Sequence, residues 1–250
     1  MRLRRVYVDA PLEPGTRITL EGSAASHVTR VLRLRVGAAL TLFNGRGGEY
    51  AAGIDRAHGG EVTVAILEHQ AIERESPLGL TLAQGVSRGE RMDLVVQKAT
   101  ELGVAQLVPL LTERSVVRLD AQQARRRVNH WRGIAVGACE QCGRNRLPEV
   151  AAPLALGAFL SQVVAGAPGL PHPALRLMLS PAGARRIAGI EGPVSSATVL
   201  VGPEGGLADS EHEAAVAAGF ISVCLGPRIL RTETAALAAL ALLQRQFGDL

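Results

Sequence analysis

The sequence predicts a two-domain α/β chain, a small β-rich module followed by a larger and largely parallel α/β sheet. Three observations carry this reading. Short alternating runs crowd the N-terminal part, and a charged, proline-terminated stretch, AIERESP at residues 71–77, then interrupts the apolar pattern. Beyond it, apolar runs alternate with helical stretches, the pattern of strands joined by crossover helices. The expected boundary separates residues 1–72 from 73–250, and a chain of 250 residues can bury a sizeable core in one or two such domains.

In the first module RITLEG, AALTLFNG, EYAAGIDRA and EVTVAILE each alternate as half-buried strands, and NGRGG, Asn44 to Gly48, reads as a turn. Between the first two lies SAASHVTRVLRL, a helix with Ser23 as its N-cap and Val28, Val31 and Leu32 as its buried stripe. His27, Arg30 and Arg33 then share an adjoining arc, a cationic face suited to RNA, although a single histidine such as His27 is more often structural. The 27 basic residues comprise 26 arginines and one lysine, Lys98. Residues 1–35 hold seven arginines against three acids, an excess of +4, while the remaining 215 balance at 20 against 20. An excess confined to one end points to a polyanion-binding surface, with an ordinary solvated arginine face as the alternative.

In the second module the strand-like runs are LGLTLAQG, AQLVPLLT, ALRLMLS, ATVLVG and FISVCLG. They alternate with the helical stretches MDLVVQKATELG, RRRVNHWRGIAVGACEQC, SEHEAAVAAG and TETAALAALALLQRQF. Parallel sheets collect ligands at the carboxyl ends of their strands. Three loops there draw attention: LSPAG at 179–183, VGPEGGLADSE at 201–211 and LGPRILRTETA at 225–235. Gly202, Gly205 and Gly206 allow close backbone approach to a ligand or simply a tight strand-to-helix turn, and Ser210 with Glu213 offers a capping box.

Other chemistries are not supported. GPEGG lacks the GxGxxG spacing, and neither a GxxxxGK[ST] loop nor an HExxH pair occurs. ACEQC holds one CxxC in a helical pattern without a second cysteine pair, so neither metal nor redox function is expected. Cys139, Cys142 and Cys224 are expected as free thiols. No run approaches the ~18 to 20 apolar residues of a membrane helix, and the N-terminus lacks the apolar core of a signal peptide, so a cytoplasmic protein without membrane association is expected.

Five motifs in order, SHVTRVLRL, SRGERMDLVVQKATELGV, ACEQCGRNRLPE, VGPEGGLADSE and LGPRILRTETAALAAL, resemble those of the ribosomal RNA small subunit methyltransferase E family over nearly the whole chain. The resemblance implies a SPOUT-type methyltransferase domain with a C-terminal trefoil knot, preceded by a small PUA-like β-barrel domain. It also implies S-adenosyl-L-methionine as cofactor, a homodimer, and methylation of N3 of a uridine in 16S rRNA, within the small ribosomal subunit. True knots are rare, so the residues alone argue against that topology.

On this reading the cofactor meets Leu179, Ser180 and Pro181 in the first loop, and Gly202, Pro203, Glu204, Gly205 and Gly206 in the second. The third loop adds Leu225, Gly226, Ile229 and Leu230, with Thr234 and Ala235 behind them. Arg231 would stabilise the anionic uridine ring. Glu233 is a candidate proton acceptor, or equally a first-turn carboxylate favoured by the helix dipole. Arg228 would hold phosphate or pair with an acid. Arg5, His27, Arg30, Arg33, Arg88 and Arg144 complete the expected RNA contacts. Glu140, Gln141 and Asn145 at a helix end serve RNA, a partner subunit or an internal polar network. Two other functions fit the residues: a methyltransferase of the same fold acting on tRNA or another rRNA position, and a non-catalytic RNA-binding or assembly module.

Overall fold

The computed structural model describes residues 4–115, 117, 119–166, 175–183 and 185–250. They form two compact units, Met1–Glu75 with Val136–Leu147, and Ser76–Ala135 with Pro148–Leu250. The division therefore differs from the expected 72/73 break, and the first unit includes a later segment. Charge explains the difference. Glu73 and Glu75 pair with Arg146 and Arg144, and Arg74 donates to Gly143 O at 3.0 Å, so the stretch read as the domain boundary is clamped to residues 143–146.

The first unit contains β1 (Arg5–Tyr7), β2 (Arg17–Leu20), α1 (Gly22–Ser26), β3 (Ala39–Phe43), β4 (Glu49–His58) and β5 (Glu61–Gln70). The sheet order is β1-β3-β4-β5-β2, with β1 and β3 parallel and the other pairs antiparallel. Alternation works as expected: Val62, Val64 and Ile66 point inward with Leu40, Leu42 and Ile54, and α1 closes this core with Ala25. The sequence reading lacked β1, whose three residues are too short to show a period.

The predicted helix at 23–34 is only partly α-helical. The N-cap of α1 is Glu21 rather than Ser23, with no side-chain capping bond, and residues 27–31 continue as a π-helix whose Leu32 N–H reaches His27 O at 2.8 Å. Wider winding turns each side chain through a smaller angle, so Val28 stays buried while Val31 swings out to 44% exposure. Arg33 ends the segment in the left-handed region at φ 55°.

A polar cluster holds this unit together. The Arg5 guanidinium, 3% exposed, bonds Glu49, Asn145 Oδ1 and Arg144 O and lies 4.7 Å from the Phe43 ring centroid. Glu49 also accepts from Arg74 at 3.0 Å and Asn145 at 3.2 Å. Burial pushes the Glu49 carboxyl up, but these donors outweigh it and hold the group below its ordinary 4.5. Burial likewise disfavours the charge on Arg144, and Glu75 more than restores it. Arg5 and Arg144, expected to meet RNA, are instead engaged inside the unit.

The second unit contains β6 (Gly79–Gly85), α2 (Glu90–Glu101), β7 (Val104–Leu111), α3 (Ala121–Cys142, whose last seven residues are counted with the first unit), β8 (Glu149–Val150) and β9 (Leu154–Ala155). It continues through α4 (Leu156–Ala165), β10 (Leu175–Leu179), β11 (Arg185–Arg186), β12 (Ser196–Val201), α5 (Asp209–Ala217), β13 (Ile221–Cys224) and α6 (Thr232–Phe247). All strand pairs are parallel, in the order β11-β13-β10-β12-β6-β7-β8, with β9 also on β7.

Helices cover both faces. Leu82, Val96, Trp131 and Leu243 belong to one core, and Phe159, Met178, Leu200 and Phe220 to the other. Helix α4 and the two-residue strands went unread in the sequence. The cap expected from Ser210 and Glu213 lies two residues earlier: Ala208 is the N-cap, and its N–H donates to Glu211 Oε2 at 2.9 Å.

Truncating Glu49 would leave Arg5 and Asn145 buried without their shared acceptor. Glu49→Ala should destabilise the first unit by about 3–5 kcal/mol, measured by chemical denaturation. Because the Glu49 pKa is lowered on folding, the unfolded chain binds more protons in this range. The stabilisation is therefore complete above pH 4.5 and fades as pH falls below it, so wild-type and Glu49→Gln denaturation midpoints should converge in acid.

Candidate cofactor and active site

Because β13, β10, β12 and β6 run parallel and side by side, their carboxyl ends share one edge of the sheet, and the three glycine-bearing loops emerge together there. They surround a cavity of about 700 Å³. Its walls include Leu179, Leu225 and Leu230, with Ser180 and Pro181 from the first loop. Every residue of Gly202–Gly206 reaches it, as do Gly226, Ile229, Arg228 and Arg231. Glu233 and Ala235 line it from the first turn of α6.

Backbone contact fixes these loops. A Cβ on Gly85 would stand 2.5 Å from Pro203 N, and one on Gly202 would stand 2.9 Å from Gly206 C. One on Gly183 would collide with the Val223 carbonyl carbon, beside the bond from Ser180 N–H to Val223 O at 2.9 Å. Gly206 and Gly226 take φ of 71° and 123°, which disfavour any side chain. The glycines thus let strand ends pack against one another, a role beside that of admitting a ligand.

A side-chain bridge ties the third loop to the second. Thr232 Oγ1 donates to Gly202 O at 2.6 Å and accepts from Gln84 Nε2 at 2.9 Å. Next to it, Glu233 is 8% exposed, and among the described residues its Oε2 has no hydrogen-bond partner. Arg231, the N-cap of α6, is exposed; its carbonyl accepts the Ala235 N–H at 2.8 Å. The cavity is thus lined by both an exposed cation, Arg231, and a buried carboxylate, Glu233.

A second lining carboxylate, Glu204, is compensated by nearby donors. Glu204 Oε1 accepts from Arg88 N–H at 3.0 Å and Arg91 at 2.8 Å. Partial burial pushes this carboxyl up, while its own N–H, the Arg88 N–H and Arg91 together hold it below 4.5. Arg114 lines the same cavity and donates to Gly205 O at 3.2 Å.

Of the sequence-predicted residues, Thr234 departs most clearly: it is exposed and does not line the cavity, because successive positions of α6 turn away from Glu233 and Ala235. The backbone of Arg88 holds Glu204 and its side chain is exposed. Arg30 and Arg33 are exposed on the first unit. His27 sits 3.4 Å from Glu140, which also accepts the Tyr7 N–H at 3.1 Å. Burial raises the Glu140 pKa against these partners, so both groups belong to an internal network. Gln141 is exposed and Asn145 is buried. Sequence reasoning missed Arg91, Arg114, His212 and Thr232 as cavity residues. Thr232 and Arg91 stood within quoted motifs, but Arg91, like Arg114, gave no signal of its place on the cavity, which it reaches only through the sheet order.

Comparison with known proteins gives two matches along the chain. A family described as an RNA methyltransferase domain matches residues 74–244, and an RNA methyltransferase PUA domain matches residues 20–67. The ribosomal RNA small subunit methyltransferase E of Buchnera aphidicola from Schizaphis graminum is 32% identical over 100% of this chain and 98% of its own. That of Synechocystis is 36% identical over 90% and 71%. Among solved structures, a protein of Legionella pneumophila in complex with bound SAM superposes with TM-score 0.93 at 41% identity over the full length of both chains. The ribosomal RNA small subunit methyltransferase E of Neisseria gonorrhoeae bound to S-adenosyl methionine gives 0.88 at 36% identity over 99% of each.

If Thr232 ties the third loop to the second, Thr232→Val should cost about 1–3 kcal/mol in denaturation, because Gly202 O and Gln84 Nε2 lose a buried partner. Thr234→Val, outside the cavity, should stay within about 0.5 kcal/mol of wild type.

Proposed function

This chain belongs to the ribosomal RNA small subunit methyltransferase E family, and from that premise we propose that it transfers a methyl group from S-adenosylmethionine to N3 of a uridine in 16S rRNA. The observation that carries the reading is the meeting, on one cavity, of three tightly crossed loops with Arg231 and the unpartnered Glu233 carboxylate. The cavity suits this cofactor in size and lining. Aliphatic Leu179, Leu225 and Leu230 offer walls to a planar base, and the backbone of the Gly202–Gly206 and 225–230 loops offers polar groups to its edges. When bound, S-adenosylmethionine supplies an electrophilic methyl group on a sulfonium.

The chain's own work is then to prepare the uridine. Its N3–H has a pKa above neutrality, so the proton leaves before or during methylation, and negative charge spreads onto the ring carbonyl oxygens. Glu233 is the candidate acceptor among the residues that line the cavity, and its Oε2 is buried and lacks a hydrogen-bond partner among the described residues. Its place in the first turn of α6 also suits the helix dipole, so structural and chemical roles coincide. Arg231 at the rim offers a planar fork to the developing charge on the oxygens. Arg228 and the exposed Arg30 and Arg33 are assigned to phosphate.

The same premise extends to assembly. The family resemblance supports a homodimer acting on the small ribosomal subunit in the cytoplasm. It also supports a knotted C-terminus, which the tight backbone packing of Gly183 on Val223 and the Thr232–Gly202 bond suit. Among the described residues no helix is long and apolar enough to cross a membrane.

A transition-state role for Arg231 has a kinetic signature. Arg231→Ala should lower the single-turnover methylation rate on 16S rRNA by about 100-fold, with cofactor affinity by calorimetry changed far less. Arg231→Lys should recover only part of the rate, since it keeps charge but loses the fork. A native rate in Arg231→Ala would remove this residue from the chemistry; parallel loss of rate, cofactor affinity and melting temperature would make it a brace for the loop.

A further inference from the structure

The charge balance beyond residue 35 conceals a second local excess. From Arg114 to Cys139 the sequence carries six arginines, at 114, 118, 125, 126, 127 and 132, against one acid, Asp120, for a local +5. Arg118 lies outside the described residues. Asp120 does not offset the rest, because it caps α3: its Oδ1 accepts the Gln123 N–H at 2.7 Å and its own N–H donates to Gln123 Oε1 at 3.1 Å.

Packing decides which way the others point. Trp131 and Ala135 are buried in the core of the second unit, Val128 packs against it, and His130 meets Asp93 of α2 at 2.8 Å. Helical spacing then places Arg125, Asn129 and Arg132, at i, i+4 and i+7, along one exposed row with Arg126 beside it. Among the described residues, none of these three arginines has a carboxylate within ion-pairing distance, whereas Arg91, Lys98, Arg144 and Arg146 each do.

This arrangement opposes the helix's own stability. Cations cluster in the second turn of α3, at the positive end of its macrodipole, and like charges at this spacing repel. An ordinary solvated helix face interleaves both signs. Uncompensated arginines in a row match one class of partner, a polyanion with regularly spaced phosphates that accept the guanidinium fork. Arg114, at the start of the same segment, already lines the cavity.

We propose that the exposed face of α3 is a phosphate-tracking surface for the substrate RNA backbone, separate from the cationic end of the chain. The proposal takes from the methyl-transfer reading only which RNA is held. The test uses the full chain carrying R125Q, R126Q and R132Q together, since glutamine preserves helix propensity. Affinity for a 16S rRNA transcript and for a mixed-sequence single-stranded RNA is measured across a salt series, beside calorimetric S-adenosylmethionine affinity and melting temperature. The slope of log affinity against log salt should become shallower by about 2, near 0.7–0.9 per lost phosphate contact. Cofactor affinity and melting should not move, and the matching triple lysine variant should restore the slope.

An unchanged slope with intact cofactor binding overturns this surface alone. A changed slope in a chain that binds no S-adenosylmethionine supports the surface and refutes the methyl-transfer reading. A shift in sedimentation with RNA affinity unchanged makes the face a contact between copies of the chain, which also overturns the proposal.

Discussion

The cavity depends on one constraint: parallel pairing of β13, β10, β12 and β6, which brings their carboxyl ends to a single edge. Chain segments far apart in sequence, 179–183, 201–206 and 225–235, meet only because of that order. The order then demands glycine where strand ends cross, and Gly85, Gly183 and Gly202 each sit against backbone with no room for a Cβ. Thr232 completes the closure by bonding Gly202 O, and in doing so fixes the start of α6, from which Arg231 and Glu233 are presented. Position therefore passes from sheet register to loop, from loop to helix cap, and from the cap to the two side chains assigned to chemistry.

Much of this was legible in the sequence because its signals are local. β4, β5, β6, β7, β12 and β13 announce themselves as alternating or apolar runs, and the three loops by glycine and proline at strand ends. What stayed hidden is non-local. β1 is too short to show a period, Arg91 and Arg114 join the cavity through sheet order, and residues 136–147 join the first unit through the ion pairs of Arg146 with Glu73 and Arg144 with Glu75 and the hydrogen bond from Asn145 to Glu49. Arg5 and Arg144 looked like phosphate ligands because sequence reports a charge but not its partner. The π-winding after Ser26 defeated an α-helical stripe for the same reason that it exposes Val31: the period changed mid-segment.

Charge in this protein divides into two kinds. One is internal, where Arg5, Arg74 and Asn145 hold a carboxylate ionised in a buried cluster and give the first unit its definition. The other is outward and, among the described residues, without an ion-pairing carboxylate, at Arg30, Arg33, Arg228, Arg231 and along α3. The net +4 reports neither, since the internal pairs cancel and the outward excess is spread over separate segments. A substrate with a phosphate backbone accounts for the outward kind without invoking it in the fold.

The central claim is that this cavity directs one methyl group to N3 of one uridine of the small-subunit RNA. Incubating the protein with 16S rRNA in assembled small subunits and S-adenosylmethionine carrying a labelled methyl, then mapping modified nucleosides by mass spectrometry, measures that claim directly. The account predicts label in N3-methyluridine at a single position. Label in another nucleoside, at many positions, or none in the presence of bound cofactor would contradict it.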